Sequence, residues 1–123
     1  MDMKREIKFR AWDSKQNYMA YQGTPDLETL QSFMYHFGDS ELMQYIGVKD
    51  KDGKDIYEGD ILQYKEDTHL FNWLVESKDG QYVIVNIGVR GYLGDRFPIT
   101  KYTFGDRHII GNIYETPKLL ENE

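Results

Sequence analysis

Acidic side chains and one histidine are the residues of this chain with the clearest chemical potential. Glu58 and Asp60 flank a single glycine, and Asp106 and His108 repeat that spacing near the C-terminus. Two carboxylates beside a histidine could bind a divalent metal ion or act as general acid and base. The competing interpretation is structural: Asp60 accepts backbone N–H groups within its own turn, and Glu58 is solvated. The sequence favours this second interpretation, because Gly-Asp directly precedes an apolar strand pattern.

Other reactive motifs are missing from the sequence. The three histidines are far apart, and none has a companion at zinc-ligand spacing. The acidic loop around Gly53 would place Val48 and Gly59 at the first and twelfth positions of a calcium loop, where carboxylates are needed. No phosphate-binding loop is present, and the absence of cysteine excludes disulfides and thiolate chemistry. We therefore predict a non-enzymatic protein with no catalytic residue, metal or cofactor.

Charge gives two hypotheses about partners. The net charge is −6, with 21 acidic and 15 basic residues, and such a balance is unusual for a protein that binds duplex DNA. Basic residues nevertheless concentrate near the N-terminus and in the last third of the chain. They form either a solvated surface or, with nearby aromatic residues, a contact surface for nucleic acid or an acidic partner. The candidate contact residues are Arg5, Lys8, Arg10, Trp12, Arg90, Tyr92, Arg96 and Arg107, with Tyr102 as a further stacking residue.

The hydrophobic pattern is mostly that of β-strands. Residues 7–12 alternate apolar and charged side chains, as expected of a strand with one face in water. Further strands are predicted at 18–21, 70–75, 81–87 and 108–115, with an Asp79-Gly80 hairpin turn between the third and fourth of these five. Residues 88–98 contain three glycines and are predicted to form a long irregular loop. Because residues 81–87 are apolar on both sides, we expect both faces of that strand to be covered.

One helix is predicted near residues 25–37. Thr24 can act as N-cap, Pro25 suits the first helical position, and Gly38 can end the helix. Leucine, methionine and phenylalanine recur at helical spacing along this segment, which gives it one apolar stripe. We expect this stripe to cap the sheet.

Turn residues complete the predicted fold. Asp52-Gly53 is predicted to form a hairpin tip, and Gly59-Asp60 a second sharp turn. A structural role is assigned to Asp52, Gly53, Gly59, Asp60, Gly111 and Asn112. The expected architecture is a single domain, residues 1–123, that is mainly β with one capping α-helix. Its barrel-like core, near residues 42–115, is either a curved antiparallel sheet or an SH3-like small barrel.

Three segments occur in an order that resembles a known family. They are Arg5-Glu-Ile-Lys-Phe-Arg-Ala-Trp-Asp13, the stretch from Leu42 to Leu62 with its two Gly-containing turns, and Ile110-Gly-Asn-Ile-Tyr-Glu-Thr-Pro-Lys-Leu-Leu120. Together they resemble the YopX family of small phage and prophage proteins. The resemblance extends over nearly the whole chain, although residues 63–102 contain nothing specific to the family. It implies a cytoplasmic, phage-encoded protein with no established activity, cofactor or catalytic residue.

These observations lead to two functional hypotheses. The first is a phage accessory protein that binds host or phage macromolecules and forms homo-oligomers through its aromatic surface, since ten tyrosines are present. The second is a nucleic-acid-binding module that uses the basic and aromatic residues named above. No apolar run approaches the roughly 20 residues that a membrane helix needs, so we expect no membrane partner and a location in the host cytoplasm.

Overall fold

Antiparallel β-strands form most of the protein in the computed structural model. It describes residues 7–22, 33, 40–87, 93–98 and 107–120, with residues 93–97 described by their backbone alone. The strands are β1 (Phe9–Asp13), β2 (Tyr18–Tyr21), β3 (Glu41–Lys49), β4 (Asp55–Tyr57), β5 (Asp60–Glu66), β6 (His69–Lys78), β7 (Gln81–Ile87), β8 (Leu93–Pro98) and β9 (His108–Asn112). A 3-10 helix, Pro117–Leu120, follows β9.

The first sheet has the strand order β2-β1-β3-β4. The hairpin between β1 and β2 forms as predicted: the Asp13 carboxylate accepts the N–H groups of Lys15 and Gln16, and Asn17 takes a positive φ of 51°. β1 lies between β2 and β3 and pairs with both. Both edges of β1 are therefore paired, and Arg10 lies on this central strand.

The second sheet has the order β8-β7-β6-β5-β9 and curls into a half-barrel. Asp79 and Gly80 join β6 to β7 with φ values of 52° and 82°, so the predicted two-residue hairpin is confirmed. The prediction of an irregular loop over residues 88–98 is wrong for Leu93–Pro98. This segment pairs with β7, and the backbone hydrogen bonds gained there outweigh its weak strand pattern.

Apolar clusters cover both faces of the second sheet. One cluster lies between the sheets, where Ile46 and Ile56 pack against Leu62, Val75 and Ile84. On the opposite face, a second cluster is covered by side chains from the turn and 3-10 helix that follow β9. The second cluster contains Ile61, Leu74, Val83, Val85 and Ile87, with Ile110, Ile113, Leu119 and Leu120 packed against it. The expectation that both faces of β7 are covered is thus confirmed.

A third cluster contains Ala11, Ala20 and Phe33. The predicted helix near 25–37 lies outside the described residues except for Phe33, which is helical and 1% exposed. The prediction of a mainly β fold is confirmed, and of its two forms the structure shows the curved antiparallel sheet.

Candidate functional site

A buried ion pair connects the two sheets. Arg10 of β1 and Asp60 at the start of β5 are 2% and 1% exposed, and the Arg10 Nη2 atom lies 2.9 Å from Asp60 Oδ1. Nη2 also donates to the carbonyl oxygen of Glu58, and the other carboxylate oxygen of Asp60 accepts the Tyr57 N–H at 2.8 Å. Burial raises the pKa of Asp60 to about 6, although the Arg10 guanidinium and the Tyr57 N–H both act to lower it.

Gly59, next to Asp60 in the chain, forms backbone hydrogen bonds with β6 and with the residue that follows β9. Its N–H donates to the Val75 carbonyl, and its carbonyl accepts the Ile113 N–H. Gly59 has a φ of 87°, and a Cβ atom there would lie 3.3 Å from the Met43 sulfur. Glycine therefore meets both a conformational and a spatial requirement at this turn.

Asn112 fixes the chain where β9 ends. Its side-chain oxygen accepts the N–H groups of Tyr114 and Glu115, and its own N–H donates to Thr116 Oγ1. These bonds replace strand pairing, and for this reason β9 ends at residue 112 rather than at the predicted residue 115. Asp60 lies opposite Asn112 in the β5–β9 pairing, so this turn is part of the junction.

The three segments that carry the family resemblance meet here. Arg10 comes from the first, Gly59 and Asp60 from the second, and Asn112 from the third. The Trp12 and Tyr114 rings, from the first and third segments, stack with centroids 5.7 Å apart and an interplanar angle of 19°. We call this arrangement the junction. The residues of the junction form turns and connect the two sheets.

A cleft of about 510 Å³ opens above the junction, between the first sheet and β9. The residues that line it are Arg10, Tyr21, Lys49, Gly53, Lys54, Asp55, Tyr57, Asp60, Ile109, Gly111, Asn112 and Glu115. The Arg10 guanidinium carbon lies 4.9 Å from the centroid of the Tyr57 ring. Tyr21 meets the same ring edge-on, with the two centroids 5.7 Å apart. Burial raises the pKa of Tyr57 to about 12, so its hydroxyl stays protonated at neutral pH.

Charged groups pair at the mouth of this cleft. Asp55 contacts Lys8 at 2.6 Å and also forms an ion pair with Lys49. Although burial opposes the effect, the hydrogen bonds and charges of Lys49 and Lys8 lower the pKa of Asp55. The hydrogen bond with Asp55 in turn raises the pKa of Lys49.

The predicted group of carboxylates and histidine does not assemble among the described residues. His108 lies opposite Gln63 in the β5–β9 pairing, three strand positions from Asp60, or roughly 10 Å along the strand. Its Nδ1 atom instead contacts Asp52 Oδ2 at 2.8 Å. Glu58 accepts the Gln44 N–H at 2.7 Å, so it is half-buried and bonded rather than simply solvated. Asp106 lies outside the described residues. In this part of the chain, no group of three potential metal ligands is found.

Asp60 takes the structural role that the sequence favoured, because it accepts the Tyr57 N–H within its turn. The Asp52-Gly53 turn also forms, with Gly53 at a φ of 82°. Sequence reasoning missed Asp50, which is 6% exposed and accepts the N–H groups of Asp52, Lys54 and Ile109. An acidic residue two or three positions before a loop glycine is a general signal for such a side-chain cap.

The residues predicted to contact nucleic acid differ in burial and in the side chains they contact. Placing Arg10 on an accessible surface was wrong, because the turn before β5 covers that face of β1 and supplies its ion pair. Lys8 is mostly buried against Asp55 and Tyr45, and Trp12 is half-buried against Tyr114. The Arg107 guanidinium lies over two rings, 4.9 Å from the Tyr64 centroid and 5.5 Å from that of Trp73. Arg5, Arg90, Tyr92 and Tyr102 lie outside the described residues, as does the side chain of Arg96.

A second exposed feature is the outer part of the β5–β6 hairpin. Residues 64–71 pair with one another, whereas β9 pairs with β5 only as far as Gln63 and β7 pairs with β6 only from Asn72. Within the described residues, this part of the hairpin is thus a two-stranded arm. Leu70 is 59% exposed and Phe71 37% exposed. Strand alternation places these two apolar side chains on opposite faces of the arm.

The fold and the junction define a small, mainly β protein built from two antiparallel sheets. A family model described as "YopX protein" matches residues 24–121. The chain therefore belongs to the YopX family. No curated protein matches the chain. The crystal structure of protein EF1440 from Enterococcus faecalis is similar, with 25% sequence identity and a TM-score of 0.61 over 96% of this chain and 100% of that one. Among the described residues, no helix has the length and apolar character needed to cross a membrane.

Proposed function

We propose that this protein is a non-enzymatic accessory protein of phage or prophage that binds macromolecules and self-associates in the host cytoplasm. Family membership supports the general assignment, since the resemblance to YopX proteins implies a phage-encoded protein with no established activity. The two-stranded arm carries the proposal of association. Arg10, Asp60, Asp50 and Asn112 all take part in contacts that support the fold, so these polar groups favour a structural role over catalysis.

The arm suits self-association for two reasons. Within the described residues this part of the hairpin has two strands alone, and a two-stranded ribbon is only marginally stable in water, so contacts with a second chain would stabilise it. Such a contact would also remove apolar surface from water on the face of the arm that it covers, since Leu70 lies on one face and Phe71 on the other. The partner proposed here is a second copy of this chain, whose arm presents the same apolar surface to a two-fold contact.

Sedimentation of the purified protein over a range of concentrations tests this proposal. We expect a species larger than the monomer, and we expect Leu70→Ser combined with Phe71→Ser to return it to the monomer. Tyr18→Ser is the matched control, because Tyr18 is 55% exposed but lies on β2. A wild-type protein that stays monomeric throughout would contradict self-association.

Binding of single-stranded nucleic acid is the second candidate function. The stacking of Arg107 on Tyr64 and Trp73 favours it, because these rings share a face of the β5–β6 hairpin with Phe71. Tyr64 and Trp73 are half-buried, and rings beside a cation can stack on bases while the cation meets phosphates. Binding of a labelled oligonucleotide should then weaken steeply between about 50 and 200 mM salt. Affinity that does not change with salt would exclude this function.

A further inference from the structure

The cleft between the first sheet and β9 is lined by two hydrogen-bonding groups that the described part of the chain leaves unused. Tyr57 is 4% exposed, and among the described residues its hydroxyl has no hydrogen-bond partner. In Arg10, the Nε atom contacts the Met43 sulfur at 3.4 Å, and Nη2 donates to the Asp60 carboxylate and to the Glu58 carbonyl oxygen. Within the same residues, Nη1 has no acceptor. Both groups belong to side chains that are themselves buried and that line the cleft, so a ligand in the cleft could accept a hydrogen bond from each of them.

The charges around the cleft restrict what that acceptor can be. Its lining contains three cations and three carboxylates: Arg10, Lys49 and Lys54 against Asp55, Asp60 and Glu115. A ligand with several negative charges would meet these carboxylates at short range, and this is unfavourable. A single anionic group can instead approach the guanidinium and the phenol together, and hydrogen bonds from a charged donor to a carboxylate are among the strongest in proteins.

The walls of the cleft add a preference for a flat organic group. Tyr21 is 54% exposed and stands edge-on to Tyr57, so its ring forms an accessible apolar surface beside the two donors. Aromatic groups pack well against such rings in offset or edge-to-face arrangements. The cleft volume of about 510 Å³ falls within the range of roughly 300–1,000 Å³ that is usual for small-molecule sites.

We propose that this cleft binds a small planar organic carboxylate, with its oxygens on Arg10 Nη1 and the Tyr57 hydroxyl and its ring against Tyr21. The Asp60 carboxylate holds the guanidinium in place from the opposite side, through Nη2. The site is separate from the arm, because no residue of the arm lines the cleft. The proposal therefore does not depend on the proposed self-association.

Titration of the full-length protein with benzoate, followed by amide NMR shifts, tests the site. We expect benzoate to shift resonances of cleft residues such as Gly53, Lys54 and Gly111. Benzamide, a neutral analogue of the same shape, should cause at most weak shifts. Inorganic phosphate alone should not occupy the site. Shifts with benzamide equal to those with benzoate, or saturation by phosphate with no effect of benzoate, would overturn the assignment of a carboxylate.

Tyr57→Phe provides the decisive variant, because it removes one oxygen that has no partner in the described fold. Loss of a hydrogen bond to a charged group should weaken benzoate binding by at least about tenfold. The thermal midpoint should stay near that of the wild type, because no hydrogen bond within the described fold is lost. Tyr18→Phe is the control, since Tyr18 lies on β2 outside the cleft lining. Benzoate affinity equal to that of the wild type in a folded Tyr57→Phe protein would refute the proposal.

Discussion

Two contacts between a basic and an acidic side chain have nearly equal lengths but opposite surroundings. Arg10 Nη2 and Asp60 Oδ1 lie 2.9 Å apart in the interior, with both side chains at most 3% exposed. His108 Nδ1 and Asp52 Oδ2 lie 2.8 Å apart near the surface, where these side chains are 43% and 53% exposed. Distance alone would rank the two pairs as equals. Desolvation separates them, because a buried charge depends on its partner whereas an exposed charge also has water.

The largest expected effect comes from removing one acid from each pair. Asp60→Ala removes the acceptor of the Tyr57 N–H and the partner of the buried Arg10 guanidinium, so we expect a loss of about 3–5 kcal/mol in the free energy of unfolding. Asp52→Ala should leave the unfolding midpoint nearly unchanged. Urea denaturation of both variants measures the difference. Equal losses would mean that burial does not distinguish these pairs.

The second test uses pH, for which the two pairs predict opposite signs. Burial raises the pKa of Asp60 from 3.8 to about 6, so its contribution to stability is fully present below about pH 4 and is lost as the pH rises to about 6. At 1.36 kcal/mol per pKa unit, the stability of the wild type relative to Asp60→Asn should fall by roughly 3 kcal/mol over this range.

The exposed pair should respond in the other direction. The hydrogen bond from His108 lowers the pKa of Asp52, so its contribution is present above the ordinary range of a carboxyl group and is lost as the pH falls. Unfolding of Asp52→Asn beside Asp60→Asn, measured from about pH 2 to about pH 7, compares the signs, because the loss for Asp52 falls below the ordinary carboxyl pKa and that for Asp60 above it. If the wild type instead gained stability over Asp60→Asn with rising pH, attraction to Arg10 would outweigh the desolvation of Asp60.

The smallest effects concern a glycine next to each pair. Gly111 precedes Asn112 at the junction, and a Cβ atom there would lie 2.0 Å from Thr116 Oγ1, which itself bonds the Asn112 N–H. Gly53 follows Asp52, and a Cβ atom there would meet nothing within 4 Å. We expect Gly111→Ala to cost about 1–3 kcal/mol by overpacking, and Gly53→Ala about 1–2 kcal/mol through its positive φ alone.

Hydrogen exchange distinguishes these two causes. Gly111→Ala should increase exchange of the Leu119 N–H, which donates to the Thr116 carbonyl at the start of the 3-10 helix. Gly53→Ala should leave that amide protected, because its strain is confined to the turn between β3 and β4. A Gly111→Ala protein with unchanged protection of Leu119 would show that the junction accommodates a methyl group without moving this helix.

Local sequence patterns gave the strands and tight turns correctly where the cause is itself local. Asp79-Gly80 and Asp52-Gly53 adopt turns because glycine accepts a positive φ at little cost. Strand β2 lies at the predicted residues for a similar reason, since it follows a turn capped by Asp13. The failures are β8 and the end of β9. β8 depends on pairing with β7, which is a tertiary contact. The end of β9 has a local cause that the strand pattern concealed, because Asn112 caps the N–H groups of Tyr114 and Glu115 two and three residues further on.

Local sequence patterns could not predict the candidate site. The alternation of residues 7–12 predicted that Arg10 faces water, because a charged residue remains hydrated unless a specific partner replaces the water. The structure supplies that partner from a distant turn. The cleft also depends on tertiary contacts, since Tyr21, Tyr57 and Gly111 come from three separate strands.

The sequence by itself determined the mainly β character, the hairpin turns and the family, because strand periodicity, backbone φ preferences and ordered motifs can be read along the chain. Only the tertiary structure decided which charges are buried, which polar side chains line the cleft and which apolar side chains of the β5–β6 hairpin stay exposed. The physical reason is that the free energy of a charge or a buried donor depends on what surrounds it in three dimensions. Residues distant in sequence create those surroundings when the two sheets come together.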